Sequence, residues 1–108
     1  MLYDSTKGLL QSILLSLEAI DDTRWDDRFE SGNACLYEMH QMSGPLYKAY
    51  RSDHLATNVL AQACLPERLS RAIPHVKTMV VAIRHKDQTG ALESGKAALV
   101  EMNRARQI

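Results

Sequence analysis

One eleven-residue stretch occurs twice in this chain and governs what it can fold into. Glu30-Ser-Gly-Asn-Ala-Cys-Leu-Tyr-Glu-Met-His40 is matched in register by Glu93-Ser-Gly-Lys-Ala-Ala-Leu-Val-Glu-Met-Asn103, 63 residues later. The same offset pairs Ala19-Ile20 with Ala82-Ile83 and Leu17 with Val80. Phe29, Gly32, Leu36 and Met39 lie at i, i+3, i+7 and i+10, and Leu92, Gly95, Leu99 and Met102 do the same. This is the stripe of an amphipathic helix. A glycine inside a helix costs about 1 kcal/mol relative to alanine. Its use in both copies implies close approach of another helix, helped by the small Ser31, Ala34 and Cys35 and by Ser94, Ala97 and Ala98. Core packing is the plainer reading of the stripe, and a self-association or partner surface is the sharper one. The chain therefore reads as one all-α domain over residues 1–108, a four- to five-helix bundle with an internal pseudo-repeat of two helical hairpins.

Around the two copies the remaining elements fall into place. Residues 4–20 read as a first helix with Asp4 or Ser5 as cap, Leu10, Ile13, Leu14, Leu17 and Ile20 on its apolar face, and Leu9 and Leu15 widening that face. Asp21-Asp-Thr-Arg24 is a turn, with Thr23 and Asp26 spaced as a capping box. The second helix runs from about Arg24 to Met42, where Ser43-Gly44-Pro45 stops it. Residues 45–51 read as a short helix or connector, and a further helix is expected from Ser52 to about Cys64. Pro66 opens the next one, which Pro74 should kink or split before Arg84. After the turn His85-Lys-Asp-Gln-Thr89, with Asp87 or Thr89 as cap, the last helix runs from about Gly90 to Arg104. No stretch has the alternation of a strand.

Composition narrows the function classes. There is no apolar run near 20 residues and no signal-peptide pattern after Met1, so a cytoplasmic protein off the membrane is expected. Cys35 and Cys64 sit in apolar helical contexts and read as small buried hydrophobes. The formal net charge is zero but divided: residues 1–50 hold eight acids against four bases, net −4, and residues 51–108 hold five against nine, net +4. The zero total argues against direct nucleic-acid binding, and the division favours association between unlike ends or capture of a basic partner.

Chemistry-bearing patterns are missing. No cysteine and histidine share a helical face at i, i+4, and there is no GxSxG elbow, no CxxC, HxxxH or HExxH, and no phosphate loop. The acidic turn of Glu18, Asp21, Asp22, Asp26 and Asp27 lacks the spacing of a calcium loop and reads as solvated. The basic group Arg68, Arg71, His75 and Lys77 is interrupted by Pro74, against a DNA-reading helix. The expectation is a protein that is not an enzyme and needs neither metal nor cofactor. What remains is protein binding. Trp25, Phe29, Tyr37, Met39, Met42, Leu46, Tyr47 and Tyr50 gather in the second helix and the connector. These residue types are favoured at interfaces. A chain this short cannot bury all of them, so a homodimer or a heterologous partner is expected to use this surface.

The run Glu38-Met-His-Gln-Met-Ser43 resembles a stretch of TraM-type quorum-sensing anti-activators, small all-helical cytosolic proteins that bind LuxR-type transcription factors and block DNA binding. QslA-like proteins are functional counterparts. The resemblance implies that Glu38, Met39, His40, Met42 and Ser43 lie on a helix used for dimer or partner contact, and that the chain regulates transcription in quorum sensing. The hairpin from Ile20 to Glu38, with Trp25 after an acidic turn, is also similar to the first hairpin of FliT-type flagellar export chaperones. A small export chaperone or an immunity protein binding a secreted partner is thus the alternative.

Overall fold

A computed structural model describes residues 2–43 and 59–104, with side chains placed for 3–43 and 69–104. It is all helical there: α1 (Leu2–Glu18), α2 (Trp25–Ser43), α3 (Val59–Arg84) and α4 (Gln88–Arg104). The helices form a ring in which each packs on its two neighbours, α1 on α2, α2 on α3, α3 on α4 and α4 on α1. Long-range hydrogen bonds give the directions. Tyr3 of α1 donates to the Met102 carbonyl of α4 (2.6 Å), and Thr6 of α1 donates to Glu38 of α2 (2.7 Å). Gly32, early in α2, faces Val80 and Ile83, late in α3. Neighbours are therefore antiparallel, and the described helices form an up-down-up-down four-helix bundle.

The repeat is carried into three dimensions. Gly32, Cys35 and Met39 are buried, and so are their counterparts Gly95, Ala98 and Met102. Phe29 and Leu36 are half-buried against the core, as are Leu92 and Leu99. On the other helix of each hairpin, Leu10, Ile13 and Leu17 match Ile73, Val76 and Val80, all buried. The two glycines meet the same residue of α3. A Cβ on Gly32 would lie 3.0 Å from Val80 Cγ2 and 3.9 Å from Met79 Cε; one on Gly95 would lie 2.9 Å from Met79 Sδ and would collide with Leu14 Cδ2. Met79 is fully buried between them. Within the small-residue stripe Gly32, Cys35, Gly95 and Ala98 are thus core packing inside one chain, while Ala34 is exposed and Ser31, Ser94 and Ala97 are half-buried. The glycines let two diagonal helices close on the thioether that separates them.

The termini of the elements differ from expectation in instructive ways. α1 begins at Leu2, so Asp4 and Ser5 lie within its first turn and do not cap it. At α2 the Thr23–Asp26 capping box does not form: the Thr23 amide and hydroxyl both donate to Asp21 Oδ1 (2.9 and 2.6 Å). This Asx turn takes the hydroxyl that would have capped the helix. It also holds the Asp21 carboxyl below its usual range, chiefly through the Thr23 hydroxyl. The second hairpin turn is tighter. Asp87 N–H reaches the Ala82 carbonyl (2.8 Å) and Lys86 N–H the Ile83 carbonyl (3.0 Å), with Lys86 at φ 57°. This is a Schellman stop with lysine in the left-handed position usually given to glycine. Asp87 then caps α4, as one of the two expected residues, by accepting from the Gly90 amide at 3.0 Å.

Pro66 and Pro74 neither start nor split a helix: α3 runs through both, for 26 residues. Pro74 and Ser70, whose carbonyl loses its intrahelical donor to the proline ring, are both exposed, so water can serve that carbonyl. Residues 59–64 of the helix expected from Ser52 to Cys64 form the first turns of α3, while its residues 52–58 and the expected connector at 45–51 lie outside the described residues. Cys35 is buried, as expected, and burial, reinforced by Glu38, pushes its thiol up to about 12. Cys64 falls outside the described side chains. Leu9 packs partly against the core, but Leu15 faces solvent.

Candidate functional site at the turn end of the bundle

The antiparallel order brings both short turns, residues 19–24 and 85–87, to one end. Gln88 ties them together. Its side-chain amide donates to the Leu17 carbonyl at 2.7 Å and lies 3.4 Å from that of Glu18, so the start of α4 satisfies carbonyls at the end of α1. Its repeat counterpart, Trp25, opens α2 and is only 8% exposed.

The surface of this end is acidic on the first-hairpin side. Glu18, Asp21, Asp22, Asp26 and Asp27 are all exposed. Asp26 and Asp27 occupy the first turn of α2, where negative charge suits the helix dipole. Beside them a cavity of about 230 Å³ opens between α1 and α2, lined by Ser16, Ala19, Ile20, Asp21, Arg24 and Arg28. Arg28 is half-buried and its Nη1 donates to Ser16 Oγ at 3.0 Å. Its Nε is buried with no hydrogen-bond partner.

The partner face expected from the sequence is only partly at the surface. Trp25, Met39 and Met42 are core residues, against the expectation that they dock a partner. α2 must turn one face to both α1 and α3, and these three lie on that face. Phe29 is half-buried against the core, and Tyr37 is 65% exposed. Leu46, Tyr47 and Tyr50 lie outside the described residues. Among the described residues the large exposed apolar side chains are Leu15, Tyr37, Val81 and Val100, one on each helix. Single apolar residues spread in this way are ordinary for a protein surface. Glu38 and His40, on the helix singled out by the anti-activator resemblance, are half-buried against Thr6 and exposed, respectively.

Sequence reasoning passed over Arg28, although the repeat itself points to it: its counterpart is Ala91, fully buried. Among the described residues no group of three or more His, Cys, Asp or Glu is placed to hold a metal ion. No described helix is long and apolar enough to cross a membrane. No protein-family model matches this chain, and no curated protein or solved structure matches it significantly.

Proposed function

We propose that this chain is a non-enzymatic binding module whose acidic turn end docks on a basic protein surface, and that it acts as an anti-activator of a LuxR-type transcription factor. The supporting observation is the group of five exposed carboxylates, Glu18, Asp21, Asp22, Asp26 and Asp27, at one end of a small bundle. A DNA-binding surface is basic because it must neutralise phosphates. An acidic end of comparable charge competes for it by the same long-range attraction. Burial of Trp25, Met39 and Met42 moves the docking burden in this reading from apolar anchors to charge, with Tyr37 as the exposed aromatic of α2.

The test is capture from a bacterial lysate on the tagged full-length chain at low and at high salt, beside the Asp22→Lys, Asp26→Lys, Asp27→Lys variant. A transcription factor retained near stoichiometry, lost at high salt and lost with the charge-reversed variant is the expected result. A partner held equally well by the reversed variant would remove the acidic end from the account. Capture of an exported protein or a toxin would reassign the chain to chaperones or immunity proteins.

A further inference from the structure

The two hairpins match closely in their cores, so their departures carry information. The sharpest is between Ser16 and Arg28 in the first hairpin and their counterparts Met79 and Ala91 in the second. Met79 and Ala91 are both fully buried. At the same seam the first hairpin has a hydroxyl, a guanidinium and an open cavity of about 230 Å³. A half-buried cation at a core position is unfavourable unless it is paired. Arg28 has exposed carboxylates within a few residues on either side, yet it donates to the neutral Ser16 hydroxyl, and its Nε is left without a partner. Positions where a chain breaks its own packing rule are where function is expected.

We infer that this cavity is a binding site for a carboxylate group carried on a short apolar stem. Arg24 and Arg28, four residues apart, line the same cavity and supply the positive charge. Ser16 offers a hydroxyl already fixed by Arg28. Ala19 and Ile20 supply the apolar wall for the stem. Asp21 also lines the cavity, with one carboxylate oxygen engaged by Thr23, so the lining carries two cations against one anion. The surrounding Glu18, Asp22, Asp26 and Asp27 repel a ligand in proportion to its charge, which favours a singly charged carboxylate over a phosphate dianion. The inference is independent of docking by the acidic end, since its probe is a small acid and no protein partner is involved.

The experiment is an NMR titration of the full-length ¹⁵N-labelled chain with sodium butyrate, with N-acetyl-glutamate α-amide, and with sodium chloride at matched ionic strength. The readouts are the Arg28 Nε–Hε signal and the Ser16 and Ile20 amides. Saturable shifts with butyrate but not with chloride, weakened at least about tenfold in Arg28→Met, are expected for the loss of a charge-assisted contact. Equal saturation by the blocked glutamate would point to an acidic side chain of a polypeptide as the source, and saturation by butyrate alone to a free short-chain acid. Arg24→Gln and Ser16→Ala should each weaken binding as well, and they serve if Arg28→Met fails to fold. Shifts that do not saturate, that chloride reproduces, or that all three variants retain would overturn the assignment.

Discussion

The first and second hairpins solve one packing problem with different residues. Both place a glycine at the eighth position of the later helix, followed by a small residue and a methionine on the same stripe. They part at the seam between their own two helices. In the first, Thr6 donates to Glu38, and Ser16 receives Arg28. In the second the counterparts of Thr6 and Ser16 are Leu69 and Met79, both buried. Glu101, the counterpart of Glu38, keeps a contact to Arg104 (3.1 Å), but its Oε2 is buried without a partner. The second hairpin is thus the apolar version of the fold and the first the polar one. Backbone packing accommodates both, and the polar seam is where the cavity lies.

That contrast can be broken most severely at Met79. Met79→Ala should destabilise by about 2–5 kcal/mol, because it empties the space against both glycines. Ser16→Ala, at the matching position, should cost no more than about 1.5 kcal/mol, the value of one hydrogen bond. Urea unfolding of the two variants measures the difference.

The glycines sharpen the comparison. Gly95→Ala meets Leu14 and Met79 and should destabilise by about 1–2 kcal/mol, overpacking exceeding the gain in helix propensity. Gly32→Ala meets Val80 at 3.0 Å and should fall within about 1 kcal/mol of neutral. Equal effects in thermal unfolding would contradict the closer approach of Leu14 and Met79 to Gly95.

The two glutamates come next. A double-mutant cycle of Thr6→Val with Glu38→Met should give a coupling of about 1–2 kcal/mol, while Glu101→Gln should be nearly neutral, since it keeps an oxygen for Arg104 and exchanges a partnerless oxygen for an amide nitrogen.

The turns give effects of opposite sign. Lys86→Gly should stabilise by about 1 kcal/mol by relieving a left-handed non-glycine residue. Asp87→Ala should cost a similar amount, about 1 kcal/mol, through loss of the α4 cap. Cys35 adds a chemical check. The thiolate is the nucleophile, and burial holds this thiol neutral up to about 12, so Cys35 should resist alkylation in the native chain at pH 8 and react once unfolded. Because its folded pKa lies above the ordinary value of 9.0, its contribution to stability is constant below pH 9 and is lost as pH rises from 9 toward 12.

Much of this fold was legible because helical spacing and the repeat agreed. The stripe of Gly32, Leu36 and Met39, with its copy, located α2 and α4 and their buried faces, and Asp87 was one of the two residues named as the α4 cap. Pro66 misled as a helix start, and Pro74 does not split its helix, because a proline is tolerated where water reaches the freed carbonyl, and exposure of Ser70 and Pro74 is a tertiary fact. Trp25, Met39 and Met42 misled for a related reason: residues that suit an interface suit a core equally, and only the placement of α1 and α3 decides between them. Arg28 was readable from the alignment of the two copies, since an arginine stands where Ala91 is buried, but no motif marks it.

The central claim is that Arg28 occupies a core position without stabilising it. Urea unfolding of Arg28→Met tests this directly, since methionine keeps an unbranched apolar stem out to about the position of Nε and removes the charged guanidinium. The account predicts stability equal to or above that of the natural chain, as for replacement of buried charges by apolar side chains. A loss of more than about 1.5 kcal/mol, the value of one ordinary hydrogen bond, would make the Ser16–Arg28 contact a structural support and contradict it.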